Sequence, residues 1–274
     1  MNIQLLSDLH LETNPHFVAQ PTPGADVLVL AGDIGSYQPG SALSRLGVED
    51  FGLARFSPRP VSEGGADWPC PVLFIPGNHE YDGQEFDDAT CRLRAACARW
   101  GLIWLEQQSV TLQGVRFLGS TLWTDFDALN GASLSASLAG REKAFRAANY
   151  YLRKNHSLRH GVPMLAPEVR ELGLQSQAWL RAALSQPFDG STVVVTHFAP
   201  SLLSADPRYG LAPGTAGFCN ALDDLLPAAQ LWLHGHLHCS QDYRSQGCHV
   251  VANPLGYAHK GEQNSHRPAL LIHV

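Results

Sequence analysis

The chain has 274 residues, of which 45% are hydrophobic and 16% charged, and a formal net charge of −6 with no Lys/Arg-rich block. This balance excludes a disordered or fibrous chain and provides no electrostatic footprint for binding extended nucleic acid or an acidic membrane. The length suffices for a large core, and a single domain over 1–274 is expected.

Thirteen histidines are the unusual feature of the composition. The six cysteines show no Cys-x-x-Cys spacing and are expected to be reduced and structural. Met1 runs into an apolar stretch without a basic and apolar leader, and no run of about 18 apolar residues occurs. A cytoplasmic protein with no membrane partner is therefore expected.

Residues 2–7 are predicted as the first strand, with Asp8-Leu9-His10 as its C-terminal turn, Leu9 facing the core and its two polar neighbours facing out. Asp-x-His is a weak pattern that, taken alone, fits an ordinary loop with a surface Asp and a buried His better than a ligand pair. The apolar run Val27-Leu28-Val29-Leu30-Ala31 then ends in Gly32-Asp33, the pattern of a buried strand that delivers a carboxylate to a site. With its two oxygens, Asp33 at the mouth of a parallel sheet can bridge two metal ions about 3.5–4 Å apart. Segment 35–70, rich in Gly, Pro and Ser, reads as an irregular excursion with one helix-compatible patch in 43–56. The next apolar run, Val72-Leu73-Phe74-Ile75, leads into Pro76-Gly77-Asn78-His79-Glu80. Here Gly permits a sharp turn, Asn78 offers a neutral carbonyl oxygen as ligand, and His79 stays free for proton transfer. A plain Pro-Gly turn with exposed polar residues is the alternative.

Residues 85–100 have helical spacing and end at Gly101, a C-cap. Short strands are predicted at 102–105, 109–112 and 115–120, with a hairpin at Gly114. Region 127–182 is mostly helical in pattern and carries no strand–ligand motif, so it is expected near or over the site, where substrate selection can reside. Within it, Arg146, Asn149, Tyr150 and Arg153 read as a solvated helix face rather than a phosphate site. A β-branched strand over 192–196 ends in His197, a candidate ligand or a satisfied buried histidine. Segment 215–226 is compatible with a helix. Leu231-Trp232-Leu233 ends in His234-Gly235-His236-Leu237-His238, where His236 and His238, two apart, can point into one site. Asn253-Pro254-Leu255-Gly256-Tyr257 ends a further strand, and 268–274 supplies the last.

Alone, each motif is weak to moderate, but the ordered set Asp-x-His, Gly-Asp, Gly-Asn-His-Glu, a strand-end His and Gly-His-x-His is improbable by chance. On these residues the chain resembles the calcineurin-like metallophosphoesterase superfamily, with all five blocks present from Asp8 to His238. Thr121-Leu122-Trp123-Thr124-Asp125-Phe126 and Asn253-Pro254-x-Gly-Tyr257 look like a bacterial branch of it. The resemblance implies an α/β fold, a four-layer α/β/β/α sandwich of two mixed sheets flanked by helices. It also implies one metal held by Asp8, His10, Asp33 and His238, another by Asp33, Asn78, His197 and His236, and a catalytic His79 beside them. His234 falls outside that set. Phe198 and Leu255 stand where the branch often carries His and Arg, a departure that bears on substrate preference.

Nitrogen and oxygen ligands without a thiolate suit two divalent or trivalent ions, Mn or Fe ahead of Zn. The expected function is hydrolysis of a small phosphate ester, a diester such as a cyclic or small nucleotide ahead of a monoester. A nuclease on the same site is an alternative, although the low Lys/Arg content argues against extended duplex contacts. A protein phosphatase is disfavoured because Gly32-Asp33 runs into Ile34-Gly35-Ser36-Tyr37, without the acidic partner and phosphate-clamping Arg of Gly-Asp-x-x-Asp-Arg-Gly. A non-catalytic interaction module should show eroded ligands, whereas all seven ligand positions and His79 are present.

Overall fold

The computed structural model describes residues 1–131 and 133–274. Strands β1 (Asn2–Leu6) and β2 (Val27–Ala31) precede a short helix α1 (Ala42–Arg45), β3 (Val72–Ile75) and helix α2 (Phe86–Trp100). Then come β4 (Ile103–Trp104), β5 (Gln108–Leu112), β6 (Val115–Ser120) and helix α3 (Leu134–Asn155). A small hairpin of β7 (Leu158–Arg159) and β8 (Val162–Pro163) leads to helix α4 (Ala166–Leu184). The chain closes with β9 (Thr192–Thr196), β10 (Leu231–His234), β11 (Gln241–Ser245), β12 (Cys248–Ala252) and β13 (Leu271–His273).

Two mixed sheets result, ordered β13-β1-β2-β3-β4 and β11-β12-β10-β9-β6-β5. In the first, β1 to β4 run parallel and β13 is an antiparallel edge. In the second, β12, β10, β9 and β6 run parallel between antiparallel edges β11 and β5.

The period of two along each strand sets the layers. Ile3, Leu5, Val27 and Val29 of the first sheet meet Val193, Val195, Leu231 and Leu233 of the second between the sheets. Leu28, Leu30 and Phe74 point the other way, onto the α2 side with Leu93 and Cys97. Val194, Trp232 and Val250 leave the second sheet towards Leu180 and Leu184 of α4. Helix, sheet, sheet and helix thus form the four-layer α/β/β/α sandwich. Both faces of β2 and β9 are covered, so all five residues of each are buried, as their unbroken apolar runs require.

The C-terminal ends of the parallel strands meet along one edge of the sandwich. Asp8 N–H donates to Gly32 O at 2.9 Å, Gly235 N–H to His197 O at 3.0 Å, and Leu255 N–H to Ser7 O at 3.0 Å. This is the edge at which open α/β sheets carry their ligands.

Three local expectations need correction. Segment 43–56 keeps only α1 and a 3-10 turn, Leu53–Phe56. Segment 215–226 forms no α-helix: its ends fall in the 3-10 turns Pro213–Gly217 and Asp223–Ala228, with 218–222 irregular between them, and Pro213, Gly214, Gly217 and Pro227 interrupt helical hydrogen bonding. Strand β11 was not anticipated, although its turn into β12 carries Gly247 at φ +86°. No helix among the described residues is long and apolar enough to cross a membrane.

Candidate active site

All eight residues singled out above stand within four positions of a strand's C-terminal end, and the backbone there is unusual. Asp8, His10, Asp33, His236 and His238 have φ of 53°, 46°, 54°, 73° and 49°. Left-handed non-glycine residues each cost on the order of 1 kcal/mol or more and persist where surrounding structure enforces them. Here Asp8 and His10 flank the fully buried Leu9, so one inward apolar residue separates two polar side chains that share a space. His236 and His238 likewise flank a leucine, but Leu237 is only half-buried and lines the cavity. The motif glycines make room for the carboxylates: a Cβ at Gly77 would lie 2.2 Å from Asp33 Oδ1, and one at Gly235 would lie 2.5 Å from Asp8 Oδ2.

Asp8, His10, Asp33 and His238 bring one ligand-capable atom each to within 4.8 Å of one another, and Asp33, His197 and His236 form a second such group. His10 Nε2 lies 3.0 Å from His238 Nε2 and 3.9 Å from Asp33 Oδ2. On the other side, His197 Nε2 lies 3.1 Å from Asn78 Oδ1, 3.2 Å from Asp33 Oδ2 and 3.2 Å from His236 Nδ1. All seven ligand candidates therefore converge, and Asp33 belongs to both groups. His79 adjoins them, its ring centroid 5.1 Å from that of His10 and its backbone N–H donating to Asp33 Oδ1 at 2.8 Å.

A cation fits this cluster. Asp33 Oδ2 and His236 Nε2 are buried without a hydrogen-bond partner, and such orphans need an unseen partner. Imidazole nitrogens facing each other at about 3 Å require a proton or a metal between them. Oxygen and imidazole donors around a shared carboxylate suit a pair of metal ions.

Contacts behind the cluster orient it. His10 Nδ1 pairs with Glu12 at 2.8 Å, His238 Nδ1 with Glu262 at 2.6 Å, His197 Nδ1 with Ala31 O at 2.9 Å, and His79 Nδ1 with Asp82 at 2.6 Å. Each acceptor favours a ring with Nδ1–H outward and Nε2 presented inward. Glu80 accepts backbone N–H groups from Asp33, Ile34 and Gly77 at 3.0, 2.6 and 2.7 Å, tying two of the loops together.

Glu12, Asp82 and Glu262 went unrecognised in the sequence, as did the role of Glu80. A carboxylate two or three residues after a candidate histidine is a usable signal for Glu12 and Asp82. Glu262, 24 residues beyond His238, has none.

Burial alone would raise the Asp33 carboxyl, but His197 first, then His79 and His10, hold it well below the usual range. Burial would lower His79, yet Asp82 and Asp33 hold it well above an ordinary histidine. Burial pushes His234 down to about 4, and this neutral ring bonds Ser204 Oγ at 3.0 Å away from the cluster.

A cavity of about 690 Å³ opens from Asp33, Asn78, His79 and His236 and runs between α3 and segment 205–219. A groove of about 580 Å³ adjoins it and shares Asp206, Arg208, His238 and Glu262.

Comparison with known proteins places this geometry in context. The sequence model of the calcineurin-like phosphoesterase family matches residues 1–240. An uncharacterised protein of Acanthamoeba polyphaga mimivirus is 24% identical over 217 residues, 74% of this chain and 73% of that protein. The solved structure of phosphopantetheinyl hydrolase from Mycobacterium tuberculosis superposes with a TM-score of 0.69 at 20% identity, covering 100% of this chain and 95% of that one. At that identity the likeness is one of fold.

Proposed function

Because the chain belongs to the calcineurin-like phosphoesterase family and is thereby a metal-dependent phosphoesterase, we propose that it is a phosphodiesterase acting on a small, nucleotide-like ester through a dinuclear centre. One ion is assigned to Asp8, His10, Asp33 and His238, the other to Asp33, Asn78, His197 and His236, Mn or Fe ahead of Zn. The observation that carries this assignment is the membership of Asp33 in both donor groups. The diester preference draws support from the cavity and groove that adjoin at His238, room for the two substituents of a diester. The whole chain is read as one catalytic domain, with α3 forming a wall of the cavity.

Held by these residues, the two ions would polarise the phosphoryl oxygens and lower the pKa of a water molecule towards neutrality. The protein's own contribution is orientation and a proton. Glu12, Glu262 and the Ala31 carbonyl hold three imidazoles with Nε2 inward, and the burial of Asp8 and Asp33 keeps bulk water from competing for their oxygens. His79, held protonated by Asp82, lines the cavity and donates its proton to the departing alkoxide oxygen as the P–O bond breaks. The resulting neutral imidazole stays bonded to Asp82, ready to be reprotonated.

Hydrolysis of bis(p-nitrophenyl) phosphate tests this reading. Exhaustive chelation should abolish it, Mn should restore it, and about 0.3 M NaCl should change it little, since the cations lining the cavity, Lys154, Arg208 and Lys260, are few and share it with the carboxylates Asp206 and Glu262. Activity that survives chelation overturns the metal mechanism. Failure to cleave any phosphate ester with both metals bound favours the non-catalytic module.

A second reading takes the substrate as a phosphopantetheine-type diester, the class named for the Mycobacterium tuberculosis protein. The extension of the cavity well beyond the phosphoryl site favours it.

A further inference from the structure

Chemistry at Asp33, Asn78 and His79 needs room for one phosphate, yet the cavity beside them, about 690 Å³, is of the size that encloses a whole cofactor-sized ligand. Its outer part lies between the C-terminal half of α3 and segment 205–219. The two walls meet at small residues, where a Cβ on Gly214 would lie 3.8 Å from Ala147 Cβ and one on Gly217 would lie 3.6 Å from Ala148 Cβ.

Three large aromatic rings line this cavity with much of their surface in solvent, Tyr151 on α3 at 57% exposure and, on the facing segment, Tyr209 at 76% and Phe218 at 38%. Exposed aromatic rings that line a cavity beside such a cluster mark a binding surface more than a gap in packing. Phe218 also reaches the cluster, its ring centroid 5.5 Å from that of His236. Three exposed cations line the same cavity, Lys154 at 4.1 Å over the Tyr150 ring, Lys260 at 4.5 Å over the Tyr257 ring, and Arg208, which is paired with Asp206 at 2.6 Å.

The exposed apolar surface at the mouth is aromatic, which suits a flat ring because stacking needs a π-face and tolerates any base. The nearby cations suit an anion. His79 lines this cavity and not the adjoining groove, so the group held here is on the leaving side of the ester.

We propose that this lobe is a stacking site for the flat ring of an anionic, nucleotide-type leaving group, with Tyr151 and Phe218 as its faces. The proposal rests on the phosphodiesterase reading for its place in the reaction, but its ligand chemistry can be measured without turnover.

Calorimetric titration of the chelated and Mn-loaded protein with adenosine 5′-monophosphate and ribose 5-phosphate reads the ring's contribution directly. The wild type should bind the nucleotide about tenfold or more tighter than the ring-less phosphate. Tyr151→Leu or Phe218→Leu should remove most of that preference, whereas Tyr151→Phe, which keeps the π-face, should retain it. Equal affinities in the wild type, a preference untouched by both leucine variants, or tighter binding of pantetheine 4′-phosphate than of the nucleotide would each overturn the proposal. A protein that cleaves bis(p-nitrophenyl) phosphate without a ring preference loses this site and keeps the proposed function. One that shows the preference but cleaves no ester keeps the site and loses the function.

Discussion

His79 is fixed at Nδ1 by Asp82 at 2.6 Å, while its side chain remains 19% exposed in the cavity and its pKa is held above that of an ordinary histidine by Asp82 and Asp33. If that proton goes to the leaving oxygen, its value depends on how basic the oxygen is. An alkoxide needs protonation, whereas p-nitrophenolate hardly does. General acid catalysis is typically worth about 10²–10⁴-fold, so His79→Ala should lower kcat by about that factor on an alkyl ester and far less on a nitrophenyl ester, with metal content unchanged. Equal losses on both esters would assign His79 to binding the phosphoryl oxygens as a cation, and loss of metal would make it a ligand. At this scale the site was largely legible, because each of the five blocks places its polar residues within a few positions of a strand end. What stayed hidden was the support behind them. Glu262 acts on His238 from a turn after β12, and nothing in local spacing links the two.

Strand ends are stitched together by buried carboxylates, and Glu106 does this between the two sheets. It follows β4 in the first sheet, and its carboxylate accepts Thr121 N–H and, at 2.9 Å, Thr121 Oγ1 just beyond β6 in the second. Burial pushes its pKa up from 4.5 to about 7, against the hydrogen bonds from Thr121 and Ser120. Because the folded-state pKa is the higher one, this group's stabilisation is complete below about pH 4.5 and is lost as pH rises through about 7. Wild type should therefore lose on the order of 1–3 kcal/mol from this group between those limits. In Glu106→Gln that slope should be absent. Urea unfolding of chelated protein at pH 5 and pH 8 checks it, chelation removing the pH dependence of metal binding. Identical pH slopes in the two proteins would contradict the assignment. Elements with a strong period were readable from sequence: the apolar runs of β2 and β9 and the capped helix α2 all lie where their patterns put them. Segments 43–56 and 215–226 were not, because Gly and Pro confine them to 3-10 turns whose shape is set by tertiary contacts.

Across the whole molecule, two parallel-centred sheets bring five distant segments of chain to one edge, where two donor groups share a single carboxylate. The sandwich follows from apolar strands covered on both faces, and the resemblance supplied its layer order. A helical region in 127–182 was expected near the site, but which residues of α3 line the cavity was not readable, since that depends on where a helix that buries only Ala144 among its described residues comes to rest. The central claim is that Asp33 bridges two metals, and elemental analysis of Mn-supplemented wild type and Asp33→Asn tests it most directly. Two metals per chain in the wild type, with both sites weakened in the variant, are predicted. A wild type that holds at most one tightly bound metal, or an Asp33→Asn protein that retains two, would contradict it.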